Sequence, residues 1–129
     1  MEDLRDLRIL LAEDNMYNVM VAQEQLAHAV PGARIDVATD GLKALEMARR
    51  NDYDVILIDV QMPEMNGCDA TRAIRALGGD KARVPILAMT ANVMQAELDE
   101  CVKAGMNGHV IKPFTQADLV GAIALVLRS

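Results

Sequence analysis

Short apolar runs alternate with longer segments of helical periodicity along this chain of 129 residues. Five runs are short and rich in Val, Ile, Leu or Ala, which is the pattern of buried β-strands. They cover residues 8–12, 34–38, 55–58, 86–89 and 109–111. The segments that follow them carry apolar residues at helical spacing. The predicted helices cover residues 16–29, 41–50, 68–77, 93–104 and 116–127.

The strict alternation of strands and helices predicts a doubly wound α/β fold. Parallel strands that are joined by right-handed crossovers place helices on both faces of one sheet. The third run, "VILI" at residues 55–58, is apolar at every position, as expected for a central strand that is buried on both faces. Thr115 with Asp118 three residues later predicts a capping box at the start of the last helix.

The composition is that of one folded domain over residues 1–129. Hydrophobic residues make up 52% of the chain and aromatic residues 2%, so the core must consist of aliphatic side chains and methionine. The charged residues 1–6 are expected to form a flexible leader. Cys68 and Cys101 have neither a CxxC nor a zinc-site spacing, and they are predicted to be free buried thiols of a reducing compartment.

The charge and the hydropathy of the chain limit the kinds of partner that the domain is expected to bind. The 19 acidic residues outnumber the 13 Lys and Arg residues, and the net charge of −6 argues against a nucleic-acid surface. A cation or a basic partner fits this charge better. No apolar run is long enough to span a membrane, and no signal peptide is recognised. We therefore expect a cytoplasmic domain with no membrane contact of its own.

Polar residues follow four of the five predicted strands, at the edge where parallel sheets bind ligands. Glu13 and Asp14 follow the first strand, Asp59 the third, Thr90 the fourth and Lys112 the fifth. Each alone has an ordinary explanation as a helix cap, a turn residue or a solvated strand end. Clustered carboxylates, however, repel one another unless a cation neutralises them. An all-oxygen cluster suits Mg²⁺ together with a phosphate oxygen.

Four motifs carry a resemblance to a known family: "LLAEDN", "ILIDVQMPEMNG", "AMTAN" and "VIKPF" occur in this order and spacing. With them, residues 8–127 resemble the receiver domain of bacterial two-component response regulators. The sequences of these motifs are most similar to those in the receivers of hybrid sensor histidine kinases. The resemblance implies a flavodoxin-like three-layer sandwich with a five-stranded parallel sheet in the order 2-1-3-4-5.

The resemblance also implies a metal site. Asp14, Asp59 and the backbone carbonyl of Gln61 would hold Mg²⁺, and Glu13 would act mainly through water. In this family the ion assists phosphoryl transfer to a carboxylate, a reaction in which positioning and charge neutralisation supply most of the rate.

Three further roles follow from the resemblance. Asp59 would be the phosphoacceptor, Lys112 would pair with the incoming phosphoryl group, and Thr90 would bond that group through its hydroxyl. Pro113 would follow a cis peptide bond. A receiver of this kind catalyses its own phosphorylation and dephosphorylation without being a turnover enzyme by itself, and its phosphodonor is a histidine kinase or a histidine phosphotransfer protein.

Two features of the sequence each allow two interpretations. Many members carry Tyr or Phe as a switch residue three positions before the lysine; here the residue is His109, which is either a switch residue or a plain surface side chain. Met16 and Met20 form a second stripe on the first helix, beside its core stripe. They either fill the margin of the core or offer an adaptable contact surface to a helical partner.

The loop after Asp59 has its own turn residues. Pro63 is expected to stiffen this loop, and Gly67 to let the backbone turn into the third helix.

Two rival functions use a similar arrangement of residues. A haloacid-dehalogenase-like phosphatase also has a nucleophilic Asp and Mg²⁺, but its general acid, an Asp two residues later, is replaced here by Gln61. A pseudo-receiver would be a docking module that never takes phosphate; the intact set of Glu13, Asp14, Asp59, Thr90 and Lys112 argues against it. A P-loop enzyme is excluded because the chain has no GxxxxGK[ST] motif.

Overall fold

A computed structural model describes residues 4–91 and 94–128, and it contains five parallel strands that alternate with five α-helices. The strands are β1 Arg8–Ala12, β2 Arg34–Ala38, β3 Val55–Asp59, β4 Ile86–Thr90 and β5 Gly108–Ile111. The helices are α1 Met16–Ala29, α2 Gly41–Arg50, α3 Gly67–Arg75, α4 Gln95–Ala104 and α5 Gln116–Arg128. The predicted α/β fold is confirmed.

The sheet has the order β2-β1-β3-β4-β5, as the family resemblance implied. β1 pairs with β2 on one side and with β3 on the other, so the chain reverses its direction of travel across the sheet between these strands. Every residue of β3 is buried, in agreement with the uninterrupted apolar pattern of this strand. The carboxyl ends of β1 and β3 therefore lie side by side at the reversal point, where ligands bind in this class of fold.

Successive strand residues point to opposite faces and build two cores. On one face, Ile9, Leu11 and Leu57 pack with residues of α1 and α5. On the other face, Leu10 and Ile56 pack with residues of α2, α3 and α4. Both cores consist of aliphatic side chains, Met and Cys, as the composition required.

Local capping signals determine where several helices begin and end. The side chains of Asn15, Asp40 and Asn66 accept hydrogen bonds from backbone N–H groups in the first turns of α1, α2 and α3. The predicted capping box of α5 is confirmed, because the Thr115 N–H donates to Asp118 Oδ2 at 2.9 Å and the Asp118 N–H donates to Thr115 Oγ1 at 3.1 Å.

Some element boundaries differ from the predicted ones by one or two residues, as is common at frayed ends. α3 ends at Arg75 because Gly78 and Gly79 have φ of 79° and 64°, and the chain continues as a short 3₁₀ helix over Gly79–Arg83 that was not predicted. α4 begins at Gln95; the predicted start at Val93 lies outside the described residues.

The side chain of Arg75 connects three segments that meet at the end of α3. Its guanidinium donates to the carbonyl oxygens of Ala82, Val84 and Gly105 at 2.7 to 3.0 Å and to Asn107 Oδ1 at 2.8 Å. A partly buried cation thus satisfies carbonyls that helix ends and turns leave without partners. This role had no signal in the sequence.

The cysteines and the leader complete the description. Cys68 and Cys101 are free and buried, as predicted, and lie on the neighbouring helices α3 and α4.

The flexible leader stays a prediction. Residues 1–3 lie outside the described residues, whereas Leu4 packs against the core and the Asp6 N–H donates to the Pro31 carbonyl at 2.9 Å. Among the described residues, no helix has the length and apolar character that a membrane span requires.

Candidate functional site

The polar residues that follow the strands converge at one edge of the sheet. Backbone hydrogen bonds continue the ladder past the strand ends: the Glu13 N–H donates to the Ala38 carbonyl at 2.9 Å, and the Lys112 N–H donates to the Thr90 carbonyl at 2.8 Å. These backbone bonds fix the positions of Glu13 and Lys112 at the edge of the sheet. Asp59 is the last residue of β3 and Thr90 the last of β4.

Lys112 is the centre of this cluster. Its ammonium donates to Glu13 Oε1 at 2.7 Å and to Asp59 Oδ2 at 3.1 Å, and it comes from a segment 99 residues after the first and 53 after the second. Burial of the ammonium opposes its charge, but the hydrogen bonds to the two carboxylates outweigh this effect and raise the pKa of Lys112 above its ordinary value. The Lys112–Pro113 peptide bond is cis, as the resemblance implied.

Three carboxylates at this edge are close enough to share one cation. Glu13, Asp14 and Asp59 each offer an oxygen atom, and these atoms lie within 4.8 Å of one another. Glu13 is 1% exposed and Asp59 8% exposed, whereas Asp14 is open to solvent. A hard-oxygen set with one open side fits Mg²⁺, which keeps several waters and takes few protein ligands.

The loop between β3 and α3 orients Asp59. The Gln61 N–H donates to Asp59 Oδ1 at 3.1 Å, which leaves Oδ2 to Lys112. Gly67 is required for a different reason from the one expected. Its φ is not in the left-handed region, but a Cβ there would collide with the carbonyl oxygen of Asp59. The start of α3 lies directly against the end of β3, and only glycine fits.

Thr90 is 3% exposed, and its side chain is directed toward α4. Its hydroxyl Oγ1 donates to Glu97 Oε1 at 3.4 Å, across the loop between β4 and α4. Sequence reasoning missed Glu97, because a Glu in the first turn of a helix has an ordinary explanation in the helix dipole.

The remaining predicted residues, His109, Met16 and Met20, lie at the surface. His109 is exposed on β5 and borders a groove that α4 lines with Leu98 and Val102. Met16 and Met20 are 59% and 65% exposed on α1, so they do not fill the margin of the core.

A second groove links α1 to the site. Tyr17 and Val21 line it on one side and Phe114 on the other, and Glu13 and Lys112 are also among its lining residues. Gln25 Nε2 donates to the Phe114 carbonyl at 2.8 Å and so joins α1 to the segment after β5. The sequence contained no signal for this bond, since it connects residues 89 positions apart.

Known proteins are similar to this chain in sequence and in architecture. The sequence model of the response regulator receiver domain matches residues 9–124. Histidine kinase 2 of Arabidopsis thaliana is 38% identical over an alignment 141 positions long, which covers 94% of this chain and 12% of that protein. The hybrid signal transduction histidine kinase G of Dictyostelium discoideum is 36% identical over 115 residues, with 89% of this chain and 3% of that protein covered. The chain thus spans a small part of these relatives.

A solved structure extends the similarity to three dimensions. The receiver domain of a sensor histidine kinase from Pseudomonas aeruginosa PAO1 is 40% identical, and its superposition covers 95% of this chain and 98% of that one with a TM-score of 0.86. That crystal structure has a magnesium ion coordinated in its active site cleft. Since the sequence match runs from β1 into α5 and the structural match covers nearly all of both chains, this chain belongs to the family of response regulator receiver domains.

Proposed function

We propose that this receiver domain accepts a phosphoryl group on Asp59 from a phosphohistidine donor and changes conformation in response, as one step of a two-component phosphorelay. The proposal rests mainly on the position of Lys112. Its ammonium contacts Asp59 and Glu13 at once, beside the solvent-exposed Asp14. A carboxylate that is held next to a fixed cation at an accessible sheet edge is suited to receive an anionic group.

The residues of the chain divide the chemistry among them. A carboxylate oxygen of Asp59 forms a bond to phosphorus while the P–N bond of the phosphohistidine breaks and the imidazole leaves. The Lys112 ammonium neutralises charge on the transferred group, and the Thr90 hydroxyl donates to a phosphoryl oxygen once the group has arrived. The Gln61 N–H holds Asp59 in place through Oδ1.

Mg²⁺ is the proposed cofactor of this step. Asp14, Asp59 and the Gln61 carbonyl would hold it, with Glu13 acting through water, and the separation of the carboxylate oxygens supports this assignment. When bound, the ion supplies positive charge to the phosphoryl oxygens. The domain would promote its own phosphorylation and dephosphorylation and would have no turnover substrate of its own.

Labelling with a small phosphodonor tests this function. Acetyl phosphate with Mg²⁺ should add one phosphoryl group, detected by intact-mass spectrometry, and Asp59→Asn should abolish the addition. Asp99→Asn, which changes an exposed carboxylate on α4, is the matched control and should be labelled like wild type. Full labelling of the Asp59 variant would disprove the choice of acceptor, and a wild-type chain that takes no label would be a pseudo-receiver.

The natural donor is the second part of the proposal. The curated relatives are histidine kinases, so we infer that the donor histidine belongs to a kinase or to a histidine phosphotransfer protein, on a helical bundle in the cytoplasm. Met16, Tyr17 and Met20 form an exposed apolar patch on α1. Because Tyr17 also lines the groove that reaches Lys112, a bundle on this α1 patch would have its histidine near Asp59.

A further inference from the structure

We propose that Glu97 is a positioning residue, which competes with the phosphoryl group for the hydroxyl proton of Thr90. It thereby holds the unphosphorylated arrangement of the domain. The inference rests on the proposed function, in which Thr90 donates to the phosphoryl group on Asp59.

The direction of the existing hydrogen bond follows from the chemistry of its two groups. Thr90 Oγ1 lies 3.4 Å from Glu97 Oε1, and an ionised carboxylate can only accept. The hydroxyl proton therefore points toward α4. The backbone of Thr90 is held on the β5 side, where Thr90 pairs with Ile111 and its carbonyl accepts the Lys112 N–H at 2.8 Å. Rotation of the side chain can therefore change the partner of the hydroxyl without breaking these contacts.

The two acceptors exclude each other because a threonine hydroxyl carries one proton. A hydroxyl that donates to Glu97 cannot donate to a phosphoryl oxygen at the same time. The bond to Glu97 is then made in the unphosphorylated state and broken in the phosphorylated one. A contact that exists in one state only shifts the equilibrium toward that state. Glu97 thus weakens the affinity of the site for a phosphoryl group.

The same contact connects the site to α4. Glu97 is in the first turn of this helix, where its N–H donates to the Met94 carbonyl at 3.1 Å. When the Thr90 hydroxyl turns from Glu97 toward the phosphoryl group, the first turn of α4 loses a contact with the end of β4. The negative charge that arrives on Asp59 also repels the Glu97 carboxylate. Both effects act on the start of α4, so they couple phosphorylation to a displacement of this helix.

Beryllium trifluoride, a reversible analogue of a phosphoryl group on a carboxylate, allows an equilibrium test. Its Kd in the presence of Mg²⁺ would be measured by NMR titration for wild type and for Glu97→Ala. We expect Glu97→Ala to bind about fivefold more tightly, which is the ratio that the loss of one competing hydrogen bond gives. Asp99→Ala removes a carboxylate from the same helix and should leave the Kd unchanged.

A double-mutant cycle separates competition for the proton from a general effect on the helix. In a Thr90→Ala background there is no hydroxyl, so Glu97→Ala should lose most of its effect on the Kd and keep only the part that relief of the charge repulsion contributes. Glu97→Gln keeps an oxygen acceptor without the charge and should lie closer to wild type than Glu97→Ala. An equal gain from Glu97→Ala with and without the Thr90 hydroxyl would overturn the inference, as would a Gln variant that binds as tightly as the Ala variant.

The test also separates the inference from the function on which it rests. Binding that saturates in wild type and is lost in Asp59→Asn supports the proposed function. If such binding occurs and Glu97→Ala has the wild-type Kd, the role of Glu97 alone is wrong. If wild type shows no binding that depends on Asp59, both proposals are wrong.

Discussion

At the scale of single residues, the site depends on one lysine that two carboxylates share. Glu13 and Asp59 are almost completely buried, and burial of a carboxylate is costly unless a cation compensates its charge. Lys112 supplies that charge through bonds of 2.7 and 3.1 Å. Its side chain therefore has two functions, one in the stability of the resting domain and one in the proposed transfer.

Removal of this ammonium should destabilise the fold. We expect Lys112→Ala to lower the free energy of unfolding by about 2 to 3 kcal/mol in the presence of a chelator, because two buried carboxylates lose a charged hydrogen-bond partner. Urea denaturation measures this change. Lys103→Ala removes an exposed lysine of α4 and should cost less than about 0.5 kcal/mol. Equal losses in the two variants would show that the pairing contributes nothing specific.

At the scale of elements, the contact between the end of β3 and the start of α3 determines where Asp59 lies. The Gly67 N–H donates to the Val60 carbonyl at 3.0 Å, so the helix begins directly beside the strand. A Cβ at residue 67 would collide with the Asp59 carbonyl oxygen, whereas a Cβ at Gly121 on α5 would meet no atom within 4 Å. Two glycines of one chain thus have opposite roles.

Their alanine variants should have opposite effects on stability. Gly67→Ala should lower the free energy of unfolding by about 1 to 3 kcal/mol, since the helix must move away from the strand. Gly121→Ala should raise it by about 0.5 to 1 kcal/mol, because alanine loses less backbone entropy in a helix. Urea denaturation of both variants gives the comparison. A Gly67 variant as stable as wild type would contradict the close packing of β3 and α3.

At the scale of the whole molecule, three carboxylates meet at the carboxyl edge of the sheet and have an exposed apolar patch beside them. The net charge is −6, and three of the carboxylates converge at the carboxyl edge. The α1 patch adjoins this edge through the groove that Tyr17 lines. This end of the domain therefore suits both parts of the proposal, a cation at the carboxylates and a helical protein on the α1 patch.

Mg²⁺ should stabilise the whole domain by mass action. At a free concentration ten times its Kd, a ligand of the folded state adds about 1.4 kcal/mol, which for a chain of this length raises Tm by about 3 to 6 °C. Differential scanning calorimetry at constant ionic strength measures the shift. Asp14→Ala should abolish it, and Asp69→Ala, at an exposed acid of α3, should keep it. An undiminished shift in the Asp14 variant would place the metal elsewhere.

The α1 patch should affect the rate of phosphotransfer only when the donor is a protein. Met20→Asp should slow phosphotransfer from a phosphorylated histidine kinase or phosphotransfer protein at least tenfold, because apolar anchors at the centre of a contact carry much of its energy. Labelling by acetyl phosphate should stay nearly unchanged, since a small donor needs no docking surface. The control is Val102→Asp, at a position of α4 that is 70% exposed.

The comparison of the two donors identifies the role of Met20. Equal loss with the protein donor and with acetyl phosphate would mean that Met20 supports the site or the fold. No loss with either donor would move the partner surface away from α1.

The sequence by itself determined the elements of this protein and the kinds of residue at its site. An uninterrupted apolar run and a period of 3.6 residues are local properties, so β3 and α1 could be located from a few neighbouring positions. The same holds for the capping box of Thr115 and Asp118, which needs residues three positions apart. Because parallel strands end at one edge, the chain order alone was enough to bring Asp59 and Lys112 together.

Only the tertiary structure decided which of these groups touch and in which direction. The bond of Lys112 to Glu13 joins residues 99 positions apart, and the bond of Gln25 to Phe114 joins residues 89 apart. The contact of Thr90 with Glu97 depends on how α4 packs against the end of β4. Such contacts depend on strand register and on the distance between helix and sheet to within an ångström. Local periodicity contains neither quantity, because both arise when all the side chains of the two cores are packed together.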